Sequence, residues 1–160
     1  MDFIAKIVVK AARRSPWIIH LDTGGCNGCD VEILTLLSAK YDVERFGVLE
    51  KGNPRQGDIL IVTGAVNRKI APRLRRIYDQ MPHPKAVLAV GTCTVSCGVF
   101  EGSYNIVGPV HRHIPVDVYV HGCPPKPEAI IDGLIKTVDI WVKRFRANEE
   151  GLKARDASHG

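Results

Sequence analysis

Five cysteines stand in three short glycine-rich segments of a 160-residue chain. The segments are Gly25-Cys26-Asn27-Gly28-Cys29, then Gly91-Thr92-Cys93 with Cys97-Gly98 just beyond it, and Gly122-Cys123-Pro124-Pro125. Thiolates are soft ligands that select zinc, copper(I) or iron–sulfur centres. A C-x-x-C pair is also the pattern of thiol redox chemistry. Metal ligation, thiol exchange and plain burial of a small apolar side chain are therefore the three readings to separate. Zinc ribbons bring together two close pairs about 15–20 residues apart. Here the second segment lies far from the first and Cys123 stands alone, which fits that pattern poorly. A thioredoxin-like pair would use Cys26 and Cys29 but leave Cys93 and Cys123 without a role.

Composition narrows the classes. Apolar residues make up 45% of the chain and charged residues 24%, the profile of a globular protein of one domain. The net charge of +5 is mild, aromatic residues are only 6%, and no nucleic-acid-binding motif is present, so nucleic acid is set aside as a partner. No apolar run is long enough for a transmembrane helix. Lys6, Lys10, Arg13 and Arg14 interrupt the apolar residues of the N-terminus, so no signal peptide is expected and the cytoplasm is the expected compartment. There, an odd number of cysteines argues against a disulfide framework. Neither G-x-G-x-x-G nor a Walker lysine is present, which removes phosphate binding at Gly24-Gly25.

The elements that must position the thiols follow from apolar patterning. Residues 1–14 read as an amphipathic helix, with Phe3, Ile4, Ile7, Val8 and Ala11 on one face, ended by Pro16. It suits packing onto the domain, an interfacial anchor or a membrane-embedded partner. Uniformly apolar runs at 17–21, 58–62, 86–90 and 116–120 read as buried strands, with a shorter strand at 43–46. Helices are expected at 30–40, with Val31, Leu34 and Leu37 as inward candidates, at 69–80 with Pro72 in the first turn, and at 127–146. Residues 147–160 read as a polar tail after the domain 15–146. Strands that alternate with helices and are apolar on both faces predict an α/β, flavodoxin-like fold: a mostly parallel sheet with helices on both faces.

All the cysteines then fall in loops just past the carboxyl ends of strands. In a parallel sheet those ends share one edge, where ligands bind. Thiols far apart in sequence can thus converge. A [4Fe–4S] cluster needs four thiolates, which three loops can supply. The flanking glycines let the backbone approach a bulky cubane and offer N–H groups to its sulfides. With five thiols for four positions one is spare, and Cys97 is the candidate, because Cys93 follows its strand more directly.

These segments, with Asp30-Val31-Glu32 after Cys29, Tyr78-Asp79-Gln80-Met81-Pro82 and Ile114-Pro115-Val116-Asp117-Val118-Tyr119-Val120, resemble the small subunit of energy-converting membrane-bound [NiFe] hydrogenases. They are similar also to its relative, the complex I subunit that carries the terminal iron–sulfur cluster. The resemblance spans roughly residues 15–145. It implies that Cys26, Cys29, Cys93 and Cys123 ligate one [4Fe–4S] cluster near the active site of a large [NiFe]-hydrogenase-like or quinone-site subunit. It implies further partners: a ferredoxin-like iron–sulfur subunit and an integral membrane subunit, the chain lying peripherally on the cytoplasmic side of the membrane. The whole complex would evolve hydrogen from reduced ferredoxin coupled to ion translocation; a quinone- or sulfur-reducing complex is the alternative within the class. C-x-x-C in place of adjacent cysteines favours the hydrogenase branch. Cys97-Gly98 stands where the family usually has two glycines. Glu32 matches a position implicated in proton passage, though a carboxylate in a first helical turn is also simply favourable there.

Asp30 has the plainer reading of a helix cap. His20, inside an apolar run, reads as a satisfied core histidine. His111 and His113 flank Arg112 in an expected turn. Arg68, Lys69, Arg73, Arg75, Arg76 and Lys85 form a basic region that reads as a solvated face or as a dock for an acidic surface.

Overall fold

The computed structural model describes residues 15–157, so the helix expected at 1–14 lies outside the described residues. The described chain forms strands β1 (Trp17–Asp22), β2 (Leu49–Glu50), β3 (Ile59–Thr63), β4 (Val66–Asn67), β5 (Ala86–Val90), β6 (Ile106–Gly108) and β7 (Val118–Val120). The helices are α1 (Gly28–Leu36), α2 (Ala71–Gln80), α3 (Thr92–Ser96) and α4 (Pro127–Ala157). Five strands make one sheet in the order β2-β1-β3-β5-β7, every neighbouring pair parallel. This is the flavodoxin-like order expected of a doubly wound fold, with the switch of direction between β1 and β3. β4 and β6 form a separate antiparallel pair beyond the sheet edge.

The apolar runs explain the layering. β3 and β5 are buried along their whole lengths. Their side chains alternate between two cores: Ile59, Ile61, Leu88 and Val90 meet α1 and α4 residues such as Ile33, Leu36, Ile130 and Leu134. Leu60, Val62 and Val87 meet Leu74 of α2 and Met81 on the other face. Burying each such side chain contributes about 1.5–3 kcal/mol, so the two central strands anchor the sheet whose edge carries the thiols.

Helix α4 is clamped across this sheet. Trp141 Nε1 donates to the Pro84 carbonyl at 2.7 Å, and Arg144 donates to the Lys85 carbonyl and pairs with Asp117. Asp117 in turn accepts the Val87 amide of β5 at 2.9 Å. Gly133 lets the helix approach closely: a Cβ there would sit 2.3 Å from Val120 Cγ2 and 3.3 Å from Leu88 Cδ1. Alanine in an open helix interior gains about 0.5–1 kcal/mol over glycine. Overpacking of this kind costs typically about 1–3 kcal/mol, which reverses the sign. Gly133→Ala is therefore expected to lower the thermal midpoint; a rise would show that the helix does not need this approach.

Four sequence expectations are corrected. The stretch expected as a strand at 43–46 is a 3₁₀ turn (Val43–Phe46), bracketed by left-handed Asp42 and Gly47, and the edge strand begins at Leu49. The helix expected at 30–40 starts earlier, at Gly28, and its inward face is set by Cys29, Ile33 and Leu36, spaced by four and three. Val31 and Leu34 therefore point outward, 59% and 58% exposed. The last helix continues past residue 146 to Ala157. The strand expected at 116–120 is shorter, Val118–Val120.

Candidate metal centre

Three loops at the carboxyl edge of the sheet are fixed by hydrogen bonds, the first to β3 and the other two to each other. Asp22 closes the loop after β1: its Oδ1 accepts the amides of Gly24 and Gly25 at 2.9 and 3.0 Å. That loop is held to β3, because the Thr23 amide and hydroxyl both donate to the Thr63 carbonyl. Between β5 and β7, the Gly91 amide donates to the Val120 carbonyl and the Thr92 amide and hydroxyl donate to the Gly122 carbonyl. The register of the parallel strands thus carries straight into the loops.

The result is one cleft lined by Gly25, Cys26, Asn27, Gly28, Cys29, Asp30, Thr63, Gly64, Thr92, Cys93, Gly122, Cys123 and Pro124. Cys26, Cys29, Cys93 and Cys123 all line it. Cys97 does not. That thiol is buried behind the cleft with Ala65, Phe100 and Ile106, against Cys93. It occupies the left-handed position that ends α3, with φ +66°. A glycine would adopt this turn without strain, whereas Cys97 holds it with its side chain packed in the interior.

The thiols feel one another. Burial first, then the charges of Cys93, Asp30, Cys26 and Cys123, push the Cys29 thiol up to about 11. Cys93 is raised by burial and then by Cys123, Cys26 and, after them, its neighbour Cys97. Cys97 is raised by burial and by Glu101, not by the cleft thiols. A bound metal reverses this pattern, since a coordinating thiol is deprotonated outright. Cys26 and Cys123 are exposed, Cys29 is half-buried and Cys93 is buried, so the cleft opens to the surface on one side.

The walls around the thiols are built for close approach. Gly91 has φ +92°, and a Cβ there would lie 2.5 Å from Cys29 Sγ. At Gly28 and Gly98 a Cβ would come 3.5 Å from Cys26 Sγ and 3.2 Å from Cys93 Sγ. Cys29 and Cys93 sit in the first turns of α1 and α3. Four soft donors in a cleft with glycine walls match a [4Fe–4S] cluster in donor type and donor number. Among the described residues no group of three His, Cys, Asp or Glu is gathered round a point that could hold a single ion.

The remaining candidates are placed as follows. Asp30 is not the cap of α1: Asn27 stands there, in a left-handed conformation and without a side-chain cap bond. The Asp30 carboxylate instead turns to the sheet, where it accepts the Thr63 hydroxyl at 2.6 Å and meets His20 Nε2 at 2.9 Å. His20 is thus a satisfied histidine, as expected of its apolar strand, but its partner was not legible. Glu32 is half-buried on α1 and does not line the cleft. Arg68, Lys69, Arg73, Arg75 and Arg76 are exposed on and before α2. Lys85 departs from them: it is buried, caps the end of α2 by donating to the Tyr78 and Met81 carbonyls, and lies over the Tyr78 ring. Asp22 builds the site without standing out as a candidate in the sequence; Asp-Thr-Gly-Gly, the composition of an Asx turn, is the signal that marks it.

Comparison with known proteins places the chain in a family. Residues 26–137 match the family described as "NADH ubiquinone oxidoreductase, 20 Kd subunit". The chain is 46% identical over 141 residues to the "Probable membrane-bound hydrogenase subunit mbhJ" of Pyrococcus furiosus, covering 86% of this chain and 84% of that protein. It is 44% identical over 132 residues to the chloroplastic NAD(P)H-quinone oxidoreductase subunit K of Oenothera argillicola, covering 79% of this chain and 59% of that one. Among solved structures, a chain of the membrane-bound sulfane sulfur reductase, an archaeal respiratory membrane complex, superposes with a TM-score of 0.74 at 33% identity, covering 95% of both chains.

Proposed function

The chain belongs to the NADH ubiquinone oxidoreductase 20 kDa subunit family, and on that footing we propose that it is the electron-transfer subunit of a membrane-bound, hydrogenase-like oxidoreductase complex, with one [4Fe–4S] cluster held by Cys26, Cys29, Cys93 and Cys123. The observation that carries this reading is the shared cleft: three loops bring four thiols to one edge of the sheet and leave the fifth thiol outside. When bound, such a cluster supplies one-electron transfer at a potential set by its surroundings. The chain's own residues hold it by sulfur, exclude water on the buried Cys93 side and leave the Cys26 and Cys123 side open to a partner. Val31 and Leu34, outward on α1, leave exposed apolar surface on the helix that carries Cys29, available to a subunit contact.

The proposed partners are a large subunit carrying a [NiFe] site, a ferredoxin-like iron–sulfur subunit that delivers electrons, and an integral membrane subunit. Among the described residues no helix is long and apolar enough to cross a membrane. Attachment through a membrane subunit, on the cytoplasmic side, is the reading we adopt. The 46% identity to a hydrogenase subunit favours hydrogen evolution from reduced ferredoxin coupled to ion translocation. The likeness to a sulfane sulfur reductase chain favours a sulfur-reducing complex as the second reading. Glu32, three residues past Cys29 on α1, is proposed to pass protons toward the large subunit; Glu32→Gln should slow turnover of the complex while leaving the cluster signal unchanged.

The test is anaerobic purification of the complex from its source. Brown protein, with a low-temperature electron paramagnetic resonance signal assigned to this chain and about four irons bound to it, is expected. Nickel in the co-purifying large subunit supports the hydrogenase reading and its absence the sulfur-reducing one. A colourless chain that binds zinc, or cycles a Cys26–Cys29 disulfide, overturns the proposal.

A further inference from the structure

Next to Cys29, three side chains from three elements meet at one oxygen. Thr63, the last residue of β3, is buried, and its hydroxyl proton goes to Asp30 Oδ1 at 2.6 Å. His20 Nε2, from β1, lies 2.9 Å from the same oxygen and 3.3 Å from Thr63 Oγ1. Because the Thr63 proton is already donated, both neighbours of Nε2 can only accept. The His20 proton therefore sits on Nε2, and the ring donates to the carboxylate. Asp30 follows Cys29 directly and lines the cleft. Its side chain could have turned to the open amides of the α1 N-terminus or to water. It is instead pulled down between the two strands, with both partners largely out of solvent.

We propose that His20 and Thr63 are positioning residues that clamp the Asp30 carboxylate beside Cys29, so that its negative charge tunes the reduction potential of the centre bound there. The inference rests on the cluster reading given above. A fixed negative charge near a centre that gains an electron opposes reduction, and it acts strongly where little water intervenes. The His20 N–H offsets part of that charge. Asp30 is thus set to lower the potential and His20 to temper it. Neither residue touches substrate; His20 acts only through Asp30.

The experiment is a redox titration of the purified complex, following the electron paramagnetic resonance signal that Cys29→Ser removes. Asp30→Asn keeps the shape and the bond from Thr63 but removes the charge, and the midpoint should rise. His20→Leu removes the donor that offsets the charge while the Thr63 hydroxyl still holds the carboxylate in place, and the midpoint should fall. The same His20→Leu change made on top of Asp30→Asn should move it no further, and His20→Gln, which restores a side-chain N–H, should return it toward the wild-type value. If wild-type complex shows no such signal, the cluster reading itself fails. If the signal is present and Asp30→Asn leaves its midpoint in place, or His20→Leu shifts it equally with and without Asp30, the clamp is only structural and this proposal falls. Should Asp30→Asn fail to assemble, His20→Leu against His20→Gln still decides: equal midpoints overturn the inference.

Discussion

Cys29→Ser is expected to strip the centre from the purified complex, with iron on this chain falling several-fold, while Cys97→Ser keeps most of it. The two thiols differ in surroundings rather than in chemistry. Cys29 borders Cys26, Cys93 and Cys123 closely enough for each of their charges to raise it. Its sulfur also packs directly against the Gly91 backbone. Serine offers a harder, more basic oxygen on a shorter bond, a poor substitute where soft thiolate is required. Cys97, only 4% exposed, packs with Ala65, Phe100 and Ile106 and does not line the cleft. Removing its sulfur should cost stability through lost packing rather than iron. Iron analysis with the visible spectrum measures both outcomes. Equal iron loss from the two variants would sink the ligand assignment and return Cys97 to the set.

The second large effect concerns a residue with no side chain. Gly91→Ala should abolish assembly of the centre, whereas Gly102→Ala should not. Both glycines lie at positive φ, +92° and +77°, so alanine strains the backbone at each by about 1–3 kcal/mol. They differ in space: a Cβ at residue 102 meets nothing within 4 Å, while at residue 91 it lies 2.5 Å from Cys29 Sγ. Gly91 also stands between β5 and α3, its amide bonded to the Val120 carbonyl. The strand register therefore prevents it from moving aside. Alanine must displace Cys29 or break the tie between the β5 and β7 loops. Paired measurements of iron content and thermal midpoint separate the effects: the two variants should share a modest loss of stability, and only Gly91→Ala should lose the iron. Matching iron contents would show that the cleft wall has slack.

Much of this architecture is visible in one-dimensional pattern because uniformly apolar runs have few alternatives. Ala86–Val90 is expected and found with the same limits, and the strand at 58–62 shifts by one residue to Ile59–Thr63. Such runs can only be buried on both faces, which a parallel sheet under two helical layers provides. Weakly patterned segments mislead for the same reason in reverse. Val43 and Phe46 suggest a strand, but left-handed turns at Asp42 and Gly47 curl the segment into a 3₁₀ turn. The short pair β4 and β6 has too few residues for any period to register. On α1 the apolar residues outnumber those that can be buried. Sequence offered Val31 and Leu34 for the inside, and the position of Cys29 in the cleft turned the helix so that Ile33 and Leu36 took that place.

What residue types and spacing determine here is the kind of chemistry: soft sulfur donors after buried strands, in glycine-rich loops. Donor softness and backbone freedom are properties of individual residues, so they survive without coordinates. Which thiols meet, and what stands behind them, are relations between residues far apart in the chain, and only the folded register decides them. Strand pairing brings the β1, β3, β5 and β7 loops together and puts Cys97 on the far side of α3. The same pairing lays His20 and Thr63 under Asp30, a contact across three elements that no local pattern encodes.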